Sequence, residues 1–99
     1  MSEHGQDLET GARVILSPSW VLREEDGGEA ILFNADTGDV WIANRTAVAV
    51  WQRVDGERTV EDLLADLARS HEGFDEEAGR QVMDLLRDLI AAGALTVAH

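Results

Sequence analysis

Between Ala30 and Asp55 the hydrophobic positions change period, from two to about three and a half, and the rest of the chain is arranged around that change. Ile31 and Phe33 share one side of an alternating run while Ala30 and Leu32 share the other. Val40 and Ile42 then alternate with Trp41 and Ala43, so both runs predict pleated strands. Between them, Asn34-Ala35-Asp36-Thr37-Gly38-Asp39 carries turn chemistry: Asn and Asp side chains bond nearby backbone, and Gly38 accepts the positive φ that closes a short hairpin loop. From Asn44 the period becomes helical. Asn44 is a cap residue, and Ala47, Val50, Trp51 and Val54 follow at i, i+3, i+4 and i+7.

The flanking segments extend this pattern. Arg13-Val14-Ile15-Leu16 is a short apolar run stopped by Ser17-Pro18, because a residue before proline is pushed away from helical angles. Trp20 to Glu25 alternates and ends at Asp26-Gly27-Gly28, a tight-turn signal, so the simplest arrangement is a three-stranded meander. After Gly56 ends the first helix, Thr59-Val60-Glu61-Asp62 forms a capping box with Asp in place of the usual Glu. Val60, Leu63, Leu64 and Leu67 make the buried stripe of that second helix, and Gly73 stops it. Asp75 caps a third helix with Glu76-Glu77 in its first turn, where the macrodipole favours acid, and with Ala78, Val82, Leu85, Leu86 and Leu89 as its core face. Gly93 closes it, leaving Leu95-Thr96-Val97 as a terminal extended segment docked on the core. Met1 to Ala12 reads as a flexible polar tail and residues 13–99 as one domain. The fold class is α+β: a three-stranded antiparallel sheet followed by three helices, winged helix-turn-helix-like.

Composition narrows the function. Ninety-nine residues at 44% hydrophobic fill one small core. The absence of cysteine excludes disulfides, a thiol nucleophile and thiolate metal sites. No apolar run approaches the roughly 20 residues that span a bilayer, and the acidic start is unlike a signal peptide, so the expectation is a cytoplasmic protein without a membrane partner. A net charge of −12, with 8 arginines scattered among 20 carboxylates, argues against nucleic acid, which is held by clustered cations.

No catalytic constellation emerges. His4, His71 and His99 are too scattered for a metal set, the serines lack nucleophile-elbow glycines, and Gly27-Gly28 lacks the Lys and helix start of a phosphate loop. Glu24-Glu25-Asp26 and Asp75-Glu76-Glu77 fall at a turn and a helix start, where carboxylates are solvated. No enzyme activity, metal or cofactor is therefore expected. Trp51 reads as core. Trp41 is core if Val40 and Ile42 face outward, and a surface anchor if they face the helices; the alternation alone allows both. The strand from Asp39 to Asn44 ends the meander, so one side of its backbone is open to an added peptide strand.

Taken together, Leu16-Ser17-Pro18 with Trp20-Val21-Leu22-Arg23-Glu24, Leu32-Phe33-Asn34 with Thr37-Gly38, Asn44-Arg45-Thr46-Ala47 with Trp51, Asp55-Gly56, Arg58-Thr59-Val60-Glu61-Asp62-Leu63 and the closing Leu86, Leu89, Gly93 and Leu95 resemble the PqqD family over residues 13–97. These are the small peptide chaperones of pyrroloquinoline quinone biosynthesis, whose fold is the RiPP recognition element. The chain departs from the family pattern at Val40-Trp41, where an aromatic pair is usual, and at Ile42-Ala43, where a basic residue and a leucine are common. The resemblance implies a non-catalytic protein that binds the leader of a ribosomally made precursor peptide and presents it to a modifying enzyme, commonly a radical SAM protein or other maturase. It implies that Val40, Trp41, Ile42, Ala43 and Asn44 supply the backbone ladder. On the third helix it implies a flank of Arg80, Met83, Asp84 and Arg87, with the arginines facing leader carboxylates and Asp84 a leader cation. A homodimer through the open strand is compatible with this reading. A generic interaction or dimerisation module without leader binding is the alternative. A winged-helix DNA binder is disfavoured, because the third helix carries more acid than base.

Overall fold

Burial decides which way the meander faces. The computed structural model describes residues 8–25 and 29–98; the expected turn at Asp26-Gly27-Gly28, residues 1–7 and His99 lie outside them. In chain order the elements are β1 (Arg13–Leu16), β2 (Trp20–Glu24), β3 (Ala30–Asn34), β4 (Val40–Ala43), α1 (Arg45–Arg53), α2 (Val60–Ser70), α3 (Glu76–Ala91) and β5 (Leu95–Ala98). The expected three-stranded antiparallel sheet is present in the order β2-β3-β4, with the three helices after it. Cross-strand partners place Leu22, Leu32 and Trp41 in one row and Glu24, Ala30 and Ala43 in another. Leu32, Ala30 and Ala43 are fully buried, so these rows face the core and the intervening residues face out.

The helices start and stop where their caps require. Asn44 Oδ1 accepts the Ala47 amide at 2.9 Å and Asp75 Oδ1 accepts the Ala78 amide at 2.9 Å. Thr59 and Asp62 complete the reciprocal box of α2 at 3.1 Å in both directions. The helical core faces are Ala47, Val50 and Trp51, then Val60, Leu63 and Leu67, then Val82, Leu86 and Leu89. Arg53 joins α1 to α2 through its Nε, which donates to Asp66 at 2.6 Å, while its Nη1 donates to the Ala49 carbonyl.

Two features exceed the sequence expectation. The Leu95-Thr96-Val97 segment is not merely docked: β5 pairs antiparallel with β1 from Arg13↔Ala98 to Leu16↔Leu95, making a second, two-stranded sheet. Residues 8–12, assigned above to the tail, pack on the domain. Leu8 and Ala12 are buried, and the carbonyls of Ala12 and Thr10 accept the Val60 and Glu61 amides at 2.9 Å each. These are first-turn N–H groups of α2 that have no partner within their own helix, so the incoming chain satisfies them.

Leu32→Ala should cost about 2–5 kcal/mol in urea unfolding, since it opens a cavity in the core, whereas Ile42→Thr on the outer face of the same sheet should stay within about 0.5 kcal/mol. Equal costs would contradict the assigned faces.

The Arg53 hydrogen bond holds the Asp66 carboxyl below its ordinary value of 3.8, partial desolvation opposes it, and the Arg53, Arg58 and Arg69 charges add to the lowering. The amides of Arg58 and Glu57 lower Asp55 in the same way. A folded value below the unfolded one favours the charged form in the fold, so this stabilisation is present above the unfolded pKa and is lost as pH falls through the folded one. Asp66→Asn should therefore lower the thermal midpoint at neutral pH, and the gap to the parent should narrow below about pH 3.8.

Candidate functional site: an open strand margin

Hydrogen-bond phase determines what β4 offers. Asn34 donates its amide to the Asp39 carbonyl at 2.9 Å across the hairpin. In an antiparallel ladder, alternate residues direct both main-chain groups to the same neighbour. From that phase, Trp41 and Ala43 direct their amides and carbonyls toward β3, and Val40 and Ile42 direct theirs to the other side. Among the described residues no strand lies there, because β4 ends the sheet. The hairpin loop fixes the start of this margin. Asn34 Oδ1 accepts the amides of Asp36 and Thr37, Gly38 has φ 83°, and Ser19 Oγ donates to Asp36 Oδ2 at 2.6 Å, tying the loop to the turn before β2.

The side chains of the margin divide by face. Val40 and Ile42 are 61% and 79% exposed on the outer side. Trp41 is half-buried and packs against the core, which settles the alternative left open by the sequence. The Ala43 side chain is buried and its backbone is turned toward β3, so Ala43 offers neither to the margin, and the Asn44 side chain is committed to the α1 cap. The helix-side candidates lie on α3. Arg80 pairs with Glu77 at 3.4 Å and Arg87 with Asp84 at 3.1 Å, all four exposed, while Met83 is half-buried against the core. The structure thus joins Arg87 to Asp84 directly, and α1 stands against both β4 and α3. A cavity of about 190 Å³ opens where α1, the end of α2 and the start of α3 meet, with Leu67, Phe74 and Val82 among its walls. His71 is exposed, with Nδ1 3.2 Å from the Leu67 carbonyl; among the described residues no cluster of three metal-ligating side chains forms.

The family model for Coenzyme PQQ synthesis protein D (PqqD) matches residues 29–95. The chain belongs to the PqqD family. A solved structure described as TbiB1 in complex with the TbiA(beta) leader peptide shares the fold, with a TM-score of 0.67 at 18% identity over 82% of this chain and 93% of that chain. No curated protein matches this chain.

In this PqqD family member the sequence placed β4 at the end of the meander and missed what surrounds it. Val21, Ile31 and Phe33 lie on the outer face beside Val40 and Ile42, in the rows Val21–Phe33–Val40 and Arg23–Ile31–Ile42. The signal was present in the alternation of each strand; what was lacking was the pairing register that lines up the strands. Among the described residues no helix is long and apolar enough to cross a membrane.

Because Asn44 works as a cap, Asn44→Ala should cost about 0.5–2 kcal/mol of stability by urea denaturation. An unchanged midpoint would show that α1 does not rely on it.

Proposed function

We propose that this chain holds the leader of a ribosomally made precursor peptide as an added strand on β4 and presents the remainder to a modifying enzyme. The observation that carries the reading is the open margin of Val40 and Ile42, with main-chain donors and acceptors aimed away from β3. Membership of the PqqD family supports it, as does the shared fold with a protein whose solved structure is described as a leader-peptide complex. The chain acts as a RiPP recognition element in the cytoplasm, and the bond chemistry belongs to a separate maturase, such as a radical SAM enzyme.

Within the segment Val40 to Asn44, the residues turned away from β3, Val40, Ile42 and Asn44, supply the ladder, Trp41 and Ala43 tie the segment to the sheet, and Arg80, Met83, Asp84 and Arg87 form the helix-side flank. The two α3 arginines already hold partners, but exposed ion pairs contribute only about 0–1 kcal/mol, so exchange for leader carboxylates costs little. About five ladder hydrogen bonds at ~1 kcal/mol each, with two anchored apolar side chains at ~1.5–3 kcal/mol each, offset the ordering of the peptide. A dissociation constant around micromolar follows.

Titrating a leader peptide from a precursor reading frame found next to the gene into the full chain should give saturable binding near that affinity, monitored by isothermal titration calorimetry. N-methylation of the leader residues opposite Val40 and Ile42 should abolish it. No saturation below about 1 mM, or indifference to N-methylation, defeats the reading. Self-association without peptide capture would instead favour a dimerisation module.

A further inference from the structure

The outer face of the β2-β3-β4 sheet has an unusual composition for a surface on which no second layer packs among the described residues. Of its side chains, Val21, Ile31, Phe33, Val40 and Ile42 are apolar, and the polar one, Arg23, is paired with Glu25 at 3.0 Å. Scattered exposed aliphatics need no explanation, but these form two contiguous rows across the sheet. Exposure is lowest on the central strand and highest at the β4 margin: Phe33 and Ile31 are half-buried, Val21 on β2 is 42% exposed, and Val40 and Ile42 are the most exposed large hydrophobic residues described. Each inner member is flanked by strands on both sides. Among the described residues the β2 and β4 members have a strand on one side only, and of the two edges β4 carries an apolar side chain in both rows; cross-strand pairs of β-branched and aromatic side chains are what stabilise a sheet face.

A strand added at β4 continues the pleat, so every second side chain of the guest lands beside Val40 or Ile42 on the outer face. Building on the leader-binding reading, we infer that the segment captured here is a cationic strand carrying large aliphatic or aromatic side chains at two alternate positions, which extend the Val21–Phe33–Val40 and Ile31–Ile42 rows. Charge selects against a second copy as occupant. Each chain carries −12, and the hairpin places Asp36 and Asp39 at the start of the margin, so a like-charged partner is repelled and a basic peptide is drawn in. The requirement differs from that of a groove contact on the helix side, because it falls on the opposite set of guest positions. Trp41 faces one set; Val40 and Ile42 read the other.

The test is a display selection of random linear peptides on the full chain, run in parallel on the Val40→Thr/Ile42→Thr double variant. Threonine keeps the β-branched shape at exposed positions, and an unchanged thermal midpoint checks the fold. Parent selections should enrich net-positive peptides with two large apolar residues spaced i, i+2. Those peptides should bind the double variant about tenfold more weakly or worse, and replacing either apolar residue by Thr should show coupling to the protein substitution in a double-mutant cycle. Peptides whose capture is blocked by backbone N-methylation, yet which bind parent and variant alike or show no apolar spacing, would overturn the inference while leaving strand addition intact. Failure to enrich any peptide, together with no saturable leader binding, would remove the leader-binding reading itself. A parent that sediments as a dimer and a double variant that sediments as a monomer would assign the rows to a second copy and also overturn the inference.

Discussion

A pleated strand sends successive side chains to opposite faces, and once Leu32 is buried nearly everything else about the meander is decided. Leu32 lies between Leu22 and Trp41, so both turn inward with it; Ala30 and Ala43, two positions along, also reach the core. The remaining positions have no choice but the outer face. That is why Trp41 belongs to the interior while Val40 and Ile42 stand in solvent, and why the strand ending the sheet presents apolar side chains and unpaired main chain together. A shift of one residue in the β3-β4 register would exchange the two sets and expose the core.

Local chemistry was legible from the residues. The caps at Asn44, Thr59 and Asp75 form with the partners their spacing implies, and Gly38, Gly56, Gly73 and Gly93 all take positive φ at the turns they were expected to close. A cap involves residues two or three apart, so its evidence is contained in a single window. The period-two runs gave the strands for the same reason. Which face was buried was not legible, because Ile31 with Phe33 and Ala30 with Leu32 are both apolar pairs and only packing against the helices distinguishes them.

Long-range pairing was the larger omission. Nothing in Leu95-Thr96-Val97 or Arg13-Val14-Ile15-Leu16 names the other as its partner, and each alone is too short to hold as a strand. Their pairing depends on α3 returning the chain, with Ser17 donating its amide to the Ala94 carbonyl at the corner. The same limitation hid residues 8–12, whose polar composition suggested a tail although Leu8 and Ala12 are buried. That β4 ends the sheet was legible from its place at the end of the meander, whereas the flank on α3 was drawn from family likeness. There Arg80 and Arg87 are engaged by Glu77 and Asp84 on the preceding turn, an arrangement that i, i+3 spacing permits but does not require.

The β1-β5 ribbon brings Arg13 opposite Ala98, so the first strand and the last lie side by side, with residues 8–12 running on from β1 to the start of α2. Loosening either strand of that ribbon frees the other, so the beginning and the end of the domain come undone together or not at all. An architecture of this kind suits a self-contained cassette whose outermost strands fasten each other.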